Sequence, residues 1–484
     1  MADYDLLIIG GGINGCAIAR EAALNGWSVL LVERDDLASH TSSASTKLIH
    51  GGLRYLEQYD FRLVAEALRE RERLVHAAPH LIRPMAFVLP HTNAVRPWWL
   101  VRAGLVLYDL LGGRMSLPRS RGLRAADTAY VAPLKNGARG FVYSDAFVDD
   151  SRLTLANAQD AAANGAEIAT RTALSSARRE GGAWRAWLAD GREVTARALV
   201  NAAGPWVEEA LGRLGVNARG GVRLVKGSHI VVPRLYEGDH AYILQQPDRR
   251  IVFAVPYQGM TEIGTTDVPV ERPEDARIDA DEIAYLCEAV NRHFAKQIAP
   301  ADVVSTWSGV RPLYDDGASE AQVISRDYVL ELDRADAPLL SVFGGKITTA
   351  RHLAEEAVEK LAPALGRTAA RMTRDRPYPG GDTGPLASFL DRVCARAPWL
   401  DAERAERMAR AYGSALLDLL PDSAAEMGRD FGAGLTEREV RWMHDREWAR
   451  TPEDVLERRS KLGLVMTDAE RRAFAEWWTA TYPA

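Results

Sequence analysis

Three glycines near the N-terminus have a spacing with a defined chemical use. Gly10, Gly12 and Gly15 form GxGxxG directly after an apolar run that starts at Leu6, and Glu33 closes the next apolar run. In such a unit the glycines allow a tight turn, close approach of backbone N–H groups to a pyrophosphate, and close packing of helix on strand. Glu33 would accept from ribose hydroxyls and disfavour a 2′-phosphate. The pattern predicts FAD or NAD binding.

The segments around these glycines predict a β-turn-α-β unit. Residues 6–10 and 29–32 have the composition of buried strands, and the Ala-rich segment 13–24 between them predicts a helix that ends at Asn25-Gly26. The N-terminus of that helix would face the phosphates. Because the helix supplies a crossover, the two strands should pair in parallel. Residues 199–201 and 339–343 are expected to add strands to this sheet.

Strand-like segments at 85–89, 229–232, 250–255 and 261–264 predict a second, mostly antiparallel domain. From residue 386 the chain turns charged and helical. The predicted domains are a dinucleotide-binding domain at 1–77, 143–209 and 336–375, a second domain at 78–142 and 210–335, and a helical domain at 385–484.

Composition excludes several classes of protein. A chain of 484 residues exceeds one ordinary core, and a net charge of -6 argues against a nucleic-acid binder. Cys16, Cys287 and Cys394 have no CxxC spacing, which predicts neither a disulfide framework nor a metal site. The N-terminus lacks the pattern of a signal peptide, and no apolar run reaches the roughly 18 to 20 residues of a spanning helix. We therefore expect a cytoplasmic protein.

Several longer motifs carry a resemblance to a known family. They are GGGINGCAIA (10–19), TSSASTKLIHGGLRYLE (41–57), NAAGPW (201–206), KGSHIVVP (226–233), GTTD (264–267), SGVRPL (308–313) and SVFGGKITT (341–349). With them the chain closely resembles the FAD-dependent glycerol-3-phosphate dehydrogenases over nearly its whole length, most of all the bacterial, membrane-associated, quinone-reducing branch. One departure is Ala350, where the family usually has an aromatic residue before the Arg; we expect looser packing and unchanged chemistry.

The resemblance implies a fold and a set of cofactor residues. The fold is α/β, with a Rossmann-type FAD-binding domain interleaved with a mostly antiparallel α+β substrate domain, as in D-amino-acid oxidase, plus a C-terminal helical domain. Thr348 is expected to open a helix whose dipole stabilises a reduced flavin. The implied FAD-binding residues are Gly10, Gly12, Asn14, Gly15, Glu33, Ser42, Ser43, Ser45, Lys47, His50, Ala203, Gly204, Gly345, Lys346, Ile347 and Thr348.

The resemblance also implies a pocket for sn-glycerol 3-phosphate. A small dianion needs several cations and directional donors near the flavin. Arg54, Tyr55 and Lys346 are predicted to bind the phosphate, with Arg326 as a further cation. Arg311 is predicted to hold the hydroxyl and its developing negative charge.

Oxidation at C2 also requires a base for the hydroxyl proton. His229 is the leading candidate, although a lone His in a strand is more often a satisfied structural residue. His50 is second, and its place before two glycines favours a role in orienting the loop or contacting the flavin.

The resemblance implies electron transfer from reduced FAD to a membrane quinone. We expect peripheral attachment at the inner face of the cytoplasmic membrane through residues 96–114, with Trp98, Trp99 and Leu105 in the lipid interface. A core helix is the other interpretation of that segment, and a homodimer is left open. Alternative functions are an oxidase of another small hydroxy or amino acid, an O2-using glycerol-3-phosphate oxidase, and a non-catalytic flavoprotein.

Overall fold

Two β-sheets and a group of C-terminal helices make up the computed structural model, which describes residues 2–92, 96–135, 137, 139–216, 220–315 and 327–483. The strands are β1 (Tyr4–Ile9), β2 (Val29–Val32), β3 (Leu48–Ile49), β4 (Ile82–Pro90), β5 (Arg121–Gly122), β6 (Gly140–Val148), β7 (Glu167–Ala169), β8 (Leu174–Glu180), β9 (Ala183–Leu188), β10 (Glu193–Asn201), β11 (Gly221–Val232), β12 (Ala241–Gln245), β13 (Ile251–Tyr257), β14 (Met260–Gly264), β15 (Val268–Pro269), β16 (Ser305–Asp315), β17 (Val329–Asp333) and β18 (Leu339–Phe343). The helices are α1 (Ile13–Leu24), α2 (Phe61–Ala77), α3 (Trp98–Leu111), α4 (Thr128–Val131), α5 (Asp150–Ala163), α6 (Val207–Arg213), α7 (Ala280–Asn291), α8 (Ala350–Leu361), α9 (Leu386–Arg396), α10 (Ala402–Tyr412), α11 (Leu416–Leu419), α12 (Glu437–Arg446) and α13 (Asp468–Thr481).

The first sheet positions the glycine-rich turn. Its strand order is β17-β18-β10-β1-β2-β7, and β1 pairs in parallel with both β2 and β10. The central strands are apolar throughout because α1, α5 and α8 cover one face and the β8–β9 hairpin with α6 covers the other. Parallel strands end at one edge of a sheet, so the residues that follow β1, β2, β10 and β18 meet there. The β-turn-α-β prediction and the added strands β10 and β18 are confirmed.

The second sheet has the order β15-β11-β14-β13-β12-β4-β6-β3, with β16 on β11 and β5 on β6. Its pairs are antiparallel except for β12 with β4, as predicted for a mostly antiparallel domain. One face packs on α7 and the other on α2 and α3. The domain boundary expected at residue 143 lies inside β6, which belongs to this sheet.

The C-terminal helices have a core of their own. Phe389, Met408, Met443 and Phe474 are fully buried among α9, α10, α12 and α13. Buried ion pairs join these helices to the rest of the chain. Arg152 lies 3.1 Å from Glu447, and the Nη2 of Arg459 lies 2.8 Å from an Asp36 oxygen.

Helix α3 packs one face against the second sheet, and the structure corrects one of the residues predicted to meet lipid. Leu105 is fully buried, and the Trp98 ring stacks on Phe141 with centroids 3.9 Å apart. Leu105 belongs to the core, so the prediction that it meets lipid is wrong, whereas Trp98 is partly buried against that core. The exposed large apolar side chains of α3 are the predicted Trp99 together with Leu100, Val106 and Leu110. Among the described residues, no helix combines the length and apolar character needed to cross a bilayer.

Candidate active site

The turn after β1 leaves no room for side chains. Gly10 has a φ of +110°, and a Cβ on it would lie 2.5 Å from the Ala202 carbonyl oxygen beyond β10. A Cβ on Gly15 would lie 2.0 Å from the Gly10 carbonyl oxygen, so α1 packs directly on the turn. Gly12 lines the adjacent cleft at the N-terminus of α1. Backbone N–H groups at this position can donate to a pyrophosphate.

Glu33 follows β2 directly and is held by backbone donors. Its Oε2 accepts the Gly11 N–H at 2.6 Å, and its Oε1 accepts the Asp35 N–H at 2.8 Å. Burial raises the pKa of the Glu33 carboxyl above its ordinary value, although these two hydrogen bonds act in the opposite direction. Each oxygen keeps a lone pair for a ribose hydroxyl. The arrangement fits an adenosine ribose without a 2′-phosphate.

A cleft follows the edge of the first sheet at the ends of β1, β2 and β10. Its lining includes Gly10, Gly12, Asn14, Glu33, Thr41, Ser42, Ala203, Gly204, Gly344 and Gly345. Asn14 donates from Nδ2 to the Gly344 carbonyl at 3.1 Å, whereas its Oδ1 is buried without a partner among the described residues. A buried acceptor left open in the wall of a cleft fits a bound ligand that donates to it. The donor set and the shape of the cleft fit FAD.

Some side chains of the loop at residues 41–47 line the cleft, and others point into the protein interior. Ser42 Oγ accepts the first N–H of α1 at 2.9 Å. Ser45 Oγ donates to Asp150 at 2.7 Å, and Lys47 Nζ lies 3.1 Å from both Asp150 oxygens and 2.9 Å from the Ser43 carbonyl. Burial opposes the charge on Lys47, but Asp150 holds its pKa above the ordinary value. The side chains of Ser45 and Lys47 are therefore engaged with Asp150.

The turn at residues 344–349 faces α1 and the loop of His50. Gly345 has a φ of +99°, and a Cβ there would lie 2.5 Å from Asn14 Nδ2. Thr348 Oγ1 accepts the His50 N–H at 3.4 Å. Helix α8 begins at Ala350, so Thr348 lies in the turn ahead of the helix, which corrects the expectation that Thr348 opens it.

Two of the predicted phosphate ligands are in contact across this site. Lys346 Nζ lies 4.2 Å from the centre of the Tyr55 ring, whereas its neighbour Ile347 packs on the core of the first sheet. Tyr55 and Arg54 are consecutive in the 3-10 turn Leu53–Gln58. The contact therefore joins the turn before α8 to the turn that carries Arg54.

Arg311 and His229 share one face of the second sheet. The β11–β16 pairing aligns His229 with Trp307, and alternation along β16 then places Arg311 on that same face. Arg311 donates to the Thr266 carbonyl at 3.1 Å, and its Nη1 lies 3.5 Å from an Asp267 oxygen. The remaining predicted cation, Arg326, lies outside the described residues.

His229 has the form of a general base. Its Nε2 hydrogen-bonds to Thr46 Oγ1 at 2.9 Å, its ring stacks on Trp307, and its Nδ1 has no partner within the described part of the chain. Burial, together with the charges of Lys47 and Arg311, lowers the pKa of His229 well below its ordinary value. The imidazole is therefore neutral at neutral pH, with one nitrogen open.

Glu262 was not among the residues predicted from the sequence. It lies in β14, is fully buried, and brings its Oε1 to 3.8 Å from Nε2 of His229. A sequence signal did exist, because a lone Glu stands between Thr261 and Ile263 in a strand that is otherwise without charge. The sequence does not reveal that Glu262 lies beside His229, because that contact depends on the pairing of β14 with β11.

Known proteins match this chain over nearly its full length. The FAD dependent oxidoreductase family matches residues 5–351, and the family described as the C-terminal domain of alpha-glycerophosphate oxidase matches residues 371–479. A Pseudomonas aeruginosa protein named glycerol-3-phosphate dehydrogenase is 49% identical, covering 99% of this chain and 96% of its own. A Brucella abortus protein named D-erythritol 1-phosphate dehydrogenase is 48% identical, covering 98% and 97%.

A solved structure shows that the same relationship extends to the fold. The glycerol-3-phosphate dehydrogenase of Bacillus halodurans, solved in complex with FAD, is 27% identical and aligns with a TM-score of 0.78, covering 99% of this chain and 90% of that one. The predicted fold class and FAD as cofactor are thereby confirmed. The chain belongs to the FAD-dependent oxidoreductases, within the family of the FAD-dependent glycerol-3-phosphate dehydrogenases.

Proposed function

We propose that the enzyme oxidises sn-glycerol 3-phosphate to dihydroxyacetone phosphate with FAD as the oxidant. The contact of Lys346 with Tyr55 carries the proposal, because it brings a cation and a phenol together beside the FAD cleft, next to Arg54. Two cations and a hydroxyl donor are what a small phosphate dianion requires. The names of the Pseudomonas aeruginosa and Brucella abortus relatives support a polyol phosphate as substrate.

Each residue of the pocket has a separate task in this proposal. Arg54, Tyr55 and Lys346 hold the phosphate and so fix C2. Arg311 donates to the C2 oxygen and stabilises the negative charge that develops there. His229, neutral because its pKa is lowered by burial and by neighbouring cations, takes the hydroxyl proton at Nδ1. FAD, when bound, supplies the acceptor for the hydride that leaves C2.

D-Erythritol 1-phosphate is a second candidate substrate, because the Brucella abortus relative is nearly as similar to this chain as the Pseudomonas aeruginosa one. Both substrates offer a phosphate to the same cations, and they differ in chain length. The discriminating experiment is kcat/KM for each phosphate with a dye acceptor. We expect the higher kcat/KM for glycerol 3-phosphate. A higher kcat/KM for erythritol 1-phosphate would make that compound the substrate instead.

We further propose that the electrons pass to a quinone in the cytoplasmic membrane, with the enzyme attached peripherally at its inner face. Trp99 and Val106 lie seven residues apart along α3 and Val106 and Leu110 four, spacings that place them on one side of the helix, and their exposure supports a lipid-facing stripe. The exposed Tyr59 follows the turn at Leu53–Gln58. Helix α3 packs against this turn, so the proposed lipid contact lies on the element next to the one that carries Arg54.

O2 is the alternative electron acceptor, as in an oxidase. The release of hydrogen peroxide distinguishes an oxidase from a quinone-reducing dehydrogenase. The enzyme with glycerol 3-phosphate in air should release little hydrogen peroxide and should reduce a short-chain ubiquinone analogue rapidly. Peroxide formed in a one-to-one ratio with oxidised substrate, at a rate equal to or above quinone reduction, would identify an oxidase.

A further inference from the structure

A buried carboxyl lies directly behind His229. Glu262 is fully buried, and neither of its carboxyl oxygens has a hydrogen-bond partner among the described residues. Its Oε1 lies 3.8 Å from Nε2 of His229. An unpaired buried carboxyl destabilises a fold, so a chain that keeps one gains something else from it.

The two strands hold this pair in place. His229 on β11 aligns with Gly264 on β14, and a Cβ on Gly264 would lie 1.9 Å from Cδ2 and 2.6 Å from Nε2 of His229. The ring therefore lies over β14 with its Nε2 edge towards that strand, which also carries Glu262. Trp307 stacks on the ring at a centroid distance of 5.5 Å. The open Nδ1 is left at the other side of the ring.

The charges around the pair set its protonation. Burial raises the pKa of Glu262 to about 8, against the opposing charge of Lys47 and with the help of Asp150. Lys47 and Tyr257, which both face Glu262, have pKa values above their ordinary ones, so neither changes charge near neutrality. The pKa of His229 lies well below its ordinary value. Of these groups, Glu262 is the one that titrates just above neutral pH.

Two further charged groups adjoin the cluster. Arg311 acts on His229 and helps to keep the imidazole neutral. Lys461 pairs with Asp149, and burial lowers its pKa to about 8, against the charges of Asp149 and Asp150. A titration near pH 8 could therefore arise from Lys461 as well, which a variant of Glu262 distinguishes.

We propose that Glu262 is a positioning residue that acts through His229: its carboxylate, beside the Nε2 edge of the ring, stabilises the positive charge that the imidazole gains when Nδ1 takes the hydroxyl proton of the substrate. The inference rests on the proposed function. As the hydroxyl O–H bond breaks, an Nδ1–H bond forms, the Nε2 proton stays in its hydrogen bond to Thr46, and the Glu262 carboxylate stabilises the resulting imidazolium. The hydride with its two electrons leaves C2 for FAD. Thr46 keeps the ring aligned through its hydrogen bond to Nε2.

The test is the pH dependence of anaerobic flavin reduction by saturating glycerol 3-phosphate. In the wild type the rate constant should rise as Glu262 ionises near pH 8. Glu262→Gln should lose that rise and lower the rate at high pH at least tenfold, with substrate affinity nearly unchanged. Glu21→Gln, which makes the same change at another fully buried Glu, in α1, should keep the wild-type profile. A rise that persists in Glu262→Gln would overturn the inference, whereas a wild type that glycerol 3-phosphate does not reduce would overturn the proposed function instead.

Stability provides a second measurement that does not depend on activity. The folded pKa of Glu262 is raised, so the stability it contributes is present at low pH and is lost as pH rises towards about 8. The melting temperature of Glu262→Gln should therefore exceed that of the wild type by a margin that widens between about pH 5 and pH 9. A margin that stays constant would show that Glu262 does not change its charge in the fold and would overturn the inference.

Discussion

At the residue scale, the proposed phosphate clamp depends on side chains from two separate turns. Losing one charge-assisted hydrogen bond costs about 1.5 to 3 kcal/mol. Arg54→Met or Lys346→Met should therefore lower kcat/KM for glycerol 3-phosphate roughly ten- to a hundredfold. FAD content should stay normal, because the cofactor cleft keeps Gly10, Glu33 and Ser42.

Arg62→Met is the matched control for this prediction, because Arg62 is an exposed cation on the neighbouring helix α2. Its kinetics should equal those of the wild type. Unchanged kinetics in both Arg54→Met and Lys346→Met would remove these residues from the phosphate site.

His229→Ala should separate chemistry from binding. Removing a positioned general base slows the step it serves by something on the order of 100- to 10 000-fold. Because the phosphate clamp is untouched, the rate constant of anaerobic flavin reduction should fall far more than the apparent affinity for substrate. Stopped-flow reduction over a range of substrate concentrations measures both. A normal rate constant would leave His229 with a structural role.

The residues predicted correctly from the sequence contact neighbours that are close along the chain, whereas the residues that were missed contact partners that are distant along it. Gly10 and Glu33 act within one β-turn-α-β unit, so their spacing along the chain predicts their use. Lys47 belongs to a loop whose position is predictable, but its partner Asp150 comes from α5 and turns its side chain away from the expected role. Glu262 meets His229 only through the pairing of β14 with β11, which spacing does not reveal.

At the element scale, α3 shows why a segment can be predicted and its orientation missed. Apolar residues lie all around the helix, so periodicity alone does not tell the core face from the exposed one. Contacts with the second sheet determine the orientation of the helix, because the Trp98 ring stacks on Phe141 and Leu105 is buried in the core. The stripe of Trp99, Val106 and Leu110 is what remains for a partner.

Replacing this stripe should release the enzyme from lipid. We expect the triple change Trp99→Ser, Val106→Ser and Leu110→Ser to abolish sedimentation with anionic liposomes and to depress quinone reduction, because the lost apolar area drives interfacial binding. Flavin reduction by substrate should survive.

The control carries Ser at Val304, Met372 and Val465, which are exposed apolar residues elsewhere. It should sediment like the wild type. If the α3 variant also sediments like the wild type, α3 is not the membrane contact.

At the scale of the whole molecule, the C-terminal helices reach the cofactor side of the first sheet. Arg459 pairs with Asp36, three residues beyond Glu33, and both side chains are buried. Removing one partner of a buried pair costs about 3 to 5 kcal/mol. Arg459→Met should therefore destabilise the fold and loosen the adenosine end of the cleft, seen as faster loss of FAD on dilution.

Arg471→Met is the control, because its pair with Asp468 is exposed and such pairs contribute about 0 to 1 kcal/mol. It should retain FAD as the wild type does. Equal FAD retention in Arg459→Met would show that the C-terminal helices do not support the cofactor site.

We propose that FAD in this chain is reduced by a small polyol phosphate. The most direct measurement is anaerobic bleaching of the flavin absorbance of the purified holoenzyme by glycerol 3-phosphate, glycerol, glycine, D-alanine and 2-hydroxyglutarate, each added in turn. We expect fast and complete bleaching by glycerol 3-phosphate, slow or no bleaching by glycerol, which lacks the group that Arg54 and Lys346 would bind, and none by the three carboxylates. Faster bleaching by glycerol, or by any of the carboxylates, would contradict it.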